Sequence, residues 1–336
     1  MPGLPRYAIF VVLGVLGTFY WLSTYQETPT VKASRYIHDG GISERLKLAE
    51  SIYEKTLTGR KKLIQTFGPK PEDIDMFPPD KNPWPAYTVW DFFPPSFNCP
   101  HELERIGSLG DGGKWVCGLS RIQEKPDCLI YSMGINYESS FEAEILDNTR
   151  HCQIYGYDST TKSFGPQIPR TQSARAHFTR VGLSGTTVPA NSEHGPSYPL
   201  ETIMEKNGHD HIDILRVDVE SAEFDTFAAM LAPYVRSGKP LPFGQLLLEI
   251  HVWNKNFASF LSWWELFESA GLRPFSSEPN LVYQNYNKQA NSDLAEYSFL
   301  NIRGDNIFIK DPSRPFKVFV DEPLDGIRPG HDVHAA

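Results

Sequence analysis

Two apolar runs in this chain end in acids and a histidine, residue types that bind polar ligands and move protons. In Leu215-Arg216-Val217-Asp218-Val219-Glu220-Ser221-Ala222-Glu223 three carboxylates fall within six residues. Burying them without partners is costly, so they face a cleft, hold Arg216 and backbone amides, or start a helix. A helix N-terminus accounts for Glu223 and suits Glu220, because its dipole favours negative charge; Asp218 is the acid retained as functional. In Leu248-Glu249-Ile250-His251, strand geometry puts Glu249 and His251 on one side, two residues apart. That pairing suits an acid/base couple, the carboxylate fixing the imidazole tautomer and raising its basicity. A structural histidine is the plainer alternative.

Two further turns suit a nucleoside. Ser132-Met133-Gly134-Ile135-Asn136-Tyr137-Glu138 follows an apolar run; Gly134 permits a tight turn and close approach of a ligand, and a helix starting at Ser139 or Ser140 offers free amides. A simple strand-to-helix turn explains it equally. Gly156-Tyr157-Asp158 lies about twenty residues on, where nucleoside-binding α/β units keep an acid for the ribose hydroxyls. Capping the turn before Ser159 and Thr160 is the other role open to Asp158. The Gly107-to-Trp115 segment lacks the Gly-Lys-Ser/Thr ending of a phosphate-binding loop and reads as a lid or a β-turn. No Cys/His spacing fits zinc, and no metal is expected.

Positioning these turns requires a sheet whose strands all end at one edge. Strand-like runs at Cys128 to Met133, Gln153 to Tyr157, His177 to Val181, Ile212 to Val217, Gln245 to Ile250, Leu281 to Tyr283 and Tyr297 to Ile302 alternate with helix-like segments closing on Gly238 and Gly271. This alternation predicts a mostly parallel seven-stranded sheet with helices on both faces. Upstream, Ser43 to Ile64 has helical spacing with Ser43 as cap and reads as a stem. The Pro- and aromatic-rich run from Phe67 to Pro100 reads as an arm packed on the domain. The expected organisation is a tip and anchor over 1–25, stem and arm over 26–97, the catalytic domain over 98–310 and an irregular extension over 311–336.

Tyr7 to Leu22 carries no charge and ends among Tyr20, Trp21 and Tyr25, which marks a transmembrane signal anchor with an aromatic interface. Arg6 and the amino terminus favour a cytoplasmic tip, hence a single-pass type II protein of the secretory pathway, Golgi or endoplasmic reticulum, ahead of a mitochondrial or cytosolic-facing placement. The net charge of -9 argues against nucleic-acid binding, which needs a concentrated basic face. Four cysteines allow two disulfides in an oxidising lumen and equally four buried thiols. If the strands opening at Cys128 and Cys152 are parallel neighbours, those two are within bridging range, leaving Cys99 with Cys117.

In order, GDGGKWVC, YSMGINYESSFE, YGYD, LRVDVESAEFD and LLLEIHVW resemble the FkbM-related methyltransferase domain family over roughly residues 98 to 304. The resemblance implies a Rossmann-like class I methyltransferase fold using S-adenosylmethionine. Gly134 and Asn136 would lie beside the cofactor's amino-acid moiety and Asp158 on its ribose. Asp218 would face Glu249 and His251 in the catalytic site. FkbM-type enzymes carry an acid before the glycine and a second glycine after the Asn, where this chain has Ser132 and Glu138; Glu138 is then expected to reach the cofactor from the other side of the turn. The acceptor is a hydroxyl or carboxylate of a glycan, protein or small molecule. A luminal glycosyltransferase, using Asp218 and Glu220 for metal, and a non-catalytic Rossmann-like binding module are the competing readings.

Overall fold

The computed structural model describes residues 39–79, 87–220, 222–287 and 291–311. The apolar run 7–22 and the extension from 312 lie outside them, and no helix among the described residues is long and apolar enough to cross a membrane.

Helix α1, Ile42–Phe67, forms on the expected spacing and buries Ala49, Tyr53 and Ile64. It starts at Gly41 without the Ser43 cap; no side chain caps it. The arm that follows buries Phe92, Phe93 and Phe97, as its aromatic content requires. Strands β1 (Leu103–Ile106) and β2 (Lys114–Cys117) form an antiparallel hairpin around the glycine-rich turn. Next come β3 (Leu129–Met133), α2 (Ser140–Asn148), β4 (Gln153–Tyr157), β5 (Ala176–Thr179), the short parallel pair β6 (Gly182–Leu183) and β7 (Ser197–Tyr198), and α3 (Leu200–Asn207). The chain continues through β8 (Ile212–Val217), α4 (Glu223–Ser237), β9 (Phe243–His251), α5 (Phe257–Ala270), β10 (Leu272–Pro279), α6 (Leu281–Asn287) and β11 (Leu294–Asn301). Gly238 and Gly271 close α4 and α5 at φ 69° and 93°, the left-handed caps expected of them.

The central sheet has seven strands in the order β10-β11-β9-β8-β3-β4-β5. Strands β9, β8, β3, β4 and β5 pair in parallel, and β11 runs antiparallel to both β9 and β10. Its strands bury both faces. Ile130, Ile154, Ile214 and Leu247 pack with Phe141 and Ile145 of α2, whereas Tyr131, Tyr157, Leu215 and Leu248 join Phe227 of α4 and Phe260 of α5 in a second core. Neighbouring residues thus enter opposite cores, the period-two consequence of helices on both faces. This is the Rossmann-like architecture expected from the alternation, with strand order reversing between β3 and β8.

One expected strand is wrong. Leu281 to Tyr283 opens α6, where Asn280 Oδ1 accepts the Tyr283 N–H at 2.9 Å. The sixth strand is β10, whose Pro274 and Pro279 disguise it in the sequence. Proline is tolerated there because β10 is the sheet edge, and the register shifts between Pro274 and Ser276.

Candidate active site

At the switch point the loops leaving β3 and β8 touch. Gly134 N–H donates to Tyr157 O at 2.8 Å and Asp218 N–H to Met133 O at 3.0 Å. Gly134 has φ 82°, and a Cβ there would lie 1.7 Å from the Asp218 carbonyl oxygen, so only glycine fits. Buried Arg216 fixes the same turn, donating from Nη1 to Gly134 O at 3.1 Å with Glu142 3.6 Å away. Asn136 and Tyr137 also hold positive φ, 44° and 59°. Such conformations cost about 1–3 kcal/mol each and persist where surrounding structure imposes them, often at functional sites.

Asp158 clamps this turn to the next. Its Oδ2 accepts the Asn136 N–H at 2.9 Å, while Oδ1 takes Thr160 N–H and Oγ1, both at 2.7 Å, and Thr161 N–H at 2.9 Å. Burial opposes its charge, but these hydrogen bonds outweigh it and hold the carboxyl below its ordinary pKa. Asp158 therefore is the turn cap, and Oδ2 also retains a lone-pair position for a ligand hydroxyl. Gly134, Asn136, Tyr157, Asp158, Leu183, Asp218 and Val219 line one cleft of about 270 Å³. Glu138 is not in its lining: Oε1 accepts the Ser140 N–H at 3.2 Å and Gln167 Nε2 at 3.3 Å, and the side chain lies under Gly112 of the hairpin.

Beyond Asp218 stand the two side chains from the end of β9. One ligand atom each from Asp218, Glu249 and His251 lie within 4.8 Å of one another, bringing together the three residues singled out for chemistry. Glu249 is 4% and His251 3% exposed. The histidine's partner is not Glu249, however. Glu223 Oε1 accepts both the His251 backbone N–H at 2.8 Å and Nδ1–H at 3.1 Å. Burial disfavours the imidazolium, yet the Glu223 hydrogen bond prevails and lifts the His251 pKa above its ordinary value. Burial, with the nearby carboxylates of Glu296 and Asp218, pushes the Glu249 carboxyl up to about 8. Asn280 donates to Glu249 Oε1 at 2.7 Å and to Asp111 at 2.8 Å; Lys114 binds Glu296 Oε1 at 2.5 Å. Glu223, Glu296, Lys114 and Asn280 were not legible as site residues: their elements pair only in three dimensions.

Residues 51–301 match a family described as a methyltransferase domain. The chain belongs to that methyltransferase family. Among curated proteins, "Probable methyltransferase-like protein 24" of Homo sapiens is 28% identical over 128 residues, 37% of this chain and 33% of that protein. The Rattus norvegicus protein of the same name is 26% identical over 140 residues, 40% of this chain and 36% of that one. The alignments thus span about a third of these relatives' length. Solved structures with some likeness include the fibrillarin pre-rRNA processing protein of Methanococcus jannaschii (TM-score 0.32, 11% identity, covering 64% of this chain and 84% of that one). Another is precorrin-6y C5,15-methyltransferase of Geobacter metallireducens (TM-score 0.28, 12% identity, 54% and 83%).

Proposed function

We propose that this chain is an S-adenosylmethionine-dependent methyltransferase acting on a hydroxyl or carboxylate acceptor. The observation that carries the reading is the glycine cradle at the switch point: Gly134 against the Asp218 backbone, with Asp158 across the same cleft. A cofactor of this size needs close backbone approach, a hydroxyl acceptor for its ribose and an apolar side for its base. Gly134, Asp158 Oδ2, and Leu183 with Val219 supply these in turn. Asn136 and Tyr137 hold the turn's shape, and Glu138 supports it from outside the cleft. When bound, S-adenosylmethionine supplies an electrophilic methyl on a sulfonium.

The chain's own task is then to orient the acceptor, which can supply roughly 7–11 kcal/mol of the barrier. Asp218, Glu249 and His251 form the wall on which we place the acceptor oxygen, and a hydroxyl acceptor surrenders its proton there. In its neutral form the imidazole held by Glu223 through Nδ1–H presents the Nε2 lone pair, and the raised pKa makes Nε2 a stronger base for that proton. The acceptor itself belongs to a glycan, protein or small molecule; nucleic acid is not expected. We place the domain in the lumen of the secretory pathway behind a type II anchor, a reading supported by the apolar run 7–22 and by two disulfides.

Calorimetric titration with S-adenosylhomocysteine tests the cofactor assignment. Micromolar binding by the wild type, weakened at least tenfold in Asp158→Ala, is expected. A wild type that binds neither this product nor S-adenosylmethionine overturns the reading and leaves the glycosyltransferase or the binding module.

A further inference from the structure

Asp218, Glu249 and His251 have the composition and spacing of a metal-ligand set. Ligands on opposite sides of an ion at ~2.1 Å stand ~4.2 Å apart, so atoms already within 4.8 Å need only small side-chain adjustments to close on one. Two further observations point to a ligand rather than to a chance gathering of acids. Buried His251 donates Nδ1–H to the carboxylate of Glu223, itself 0% exposed. In the neutral imidazole that arrangement leaves Nε2 as the acceptor, and metal-binding histidines are held by carboxylates in this manner. Nε2 accepts no hydrogen bond from the described residues.

The acids also crowd one another, with few cations in ion-pair contact. Lys114 is taken by Glu296, and Arg216 by Gly134 O and Glu142. Among the described residues no lysine or arginine makes a direct ion pair with Asp218 or Glu249, Arg216 and Lys114 acting on them only at longer range, and the only hydrogen bond to the Glu249 carboxylate is from Asn280 to Oε1. Glu296 Oε2 is buried without a partner nearby in the sheet, opposite Glu249 in the β9–β11 register. Two carboxylates and an imidazole suit a first-row divalent ion such as Mn2+ or Zn2+.

We propose that Asp218, Glu249 and His251 bind one divalent cation at the acceptor side of the cleft, with Glu223 as the positioning residue behind His251. This revises the expectation of no metal, which rested on zinc spacings in sequence: here the ligands come from the ends of two neighbouring parallel strands. Three protein ligands leave coordination positions open for an acceptor oxygen, where the ion lowers the pKa of a bound hydroxyl. That last step rests on the methyltransferase reading; binding of the ion does not.

The test is Mn2+ titration of the chelator-treated full chain, followed by electron paramagnetic resonance of free Mn2+, with S-adenosylhomocysteine titrated separately. One Mn2+ per chain is expected, with affinity reduced at least tenfold in Asp218→Asn and His251→Gln, and about 10–100-fold in Glu223→Gln. Thermal melting without metal confirms that each variant folds. A folded wild type that binds no Mn2+, or folded variants that bind it as well as the wild type, overturns the site. Mn2+ binding without S-adenosylhomocysteine binding would leave the metal standing and remove the cofactor reading; the reverse would do the opposite.

Discussion

Gly134 is the position in the cleft with least room. With a Cβ 1.7 Å from the Asp218 carbonyl oxygen and φ 82°, Gly134→Ala must part the β3 and β8 loops. The left-handed backbone alone costs about 1–3 kcal/mol for a non-glycine residue. Loss of S-adenosylhomocysteine binding with a lowered melting temperature is expected; unchanged binding would show that the loops do not hold the cofactor. Asp158 makes a separate prediction through pH. Its folded pKa lies below the ordinary 3.8, so its charge stabilises the fold above the unfolded value and the contribution fades as pH falls through the folded one. Asp158→Asn should therefore be less stable at neutral pH and converge on wild type in acid, as thermal melts across that range would show. Both residues were legible in the sequence because a glycine after a strand and an acid about twenty residues on are local signals. Glu223 was not: the helix dipole explained it sufficiently, and its real partner, His251, is at the end of β9, distant in sequence from α4.

At the scale of elements, helical spacing finds α1 but does not say which elements its polar side chains fasten it to. The structure answers with Glu268 of α5 and Arg273 of β10. Arg60, 6% exposed, donates to Phe92 O at 2.8 Å and to both Glu268 oxygens at 2.8 and 3.1 Å; Tyr53 adds a hydroxyl at 2.5 Å, and Glu50 pairs with Arg273. Removing one partner of such a buried pair strands the other charge, which typically costs ~3–5 kcal/mol. Arg60→Ala should lower the urea midpoint accordingly, while Arg60→Met paired with Glu268→Gln, which keeps an acceptor for Tyr53 and Trp264, should recover part of the loss. A cost under about 1 kcal/mol, the range of an exposed pair, would mean that α1 is not part of the cooperative unit. The same gap between pattern and packing hid β10, since prolines that forbid a central strand are permitted at an edge, and nothing local says which strand is the edge.

For the whole molecule, the cross-links decide what environment the fold requires. Cys128–Cys152 joins the starts of β3 and β4, with α-carbons 4.4 Å apart, and Cys99–Cys117 ties the arm to the hairpin at 5.8 Å; no cysteine is free. Parallel pairing of β3 and β4 made the first bridge foreseeable, and the second followed as the remaining pair. Their sequence separations of 18 and 24 residues correspond to about 3 kcal/mol of stabilisation each, by restricting the unfolded chain. A loss of that size on reduction is comparable to the whole stability of many domains, about 5–15 kcal/mol. The cytosol keeps such thiols reduced, whereas the secretory lumen oxidises them. Protein isolated from its native source and denatured without reductant should therefore expose no thiol, and reductant should lower its unfolding midpoint sharply. Four titratable thiols in that preparation would overturn the proposed luminal placement, because an oxidising lumen is where these bridges form.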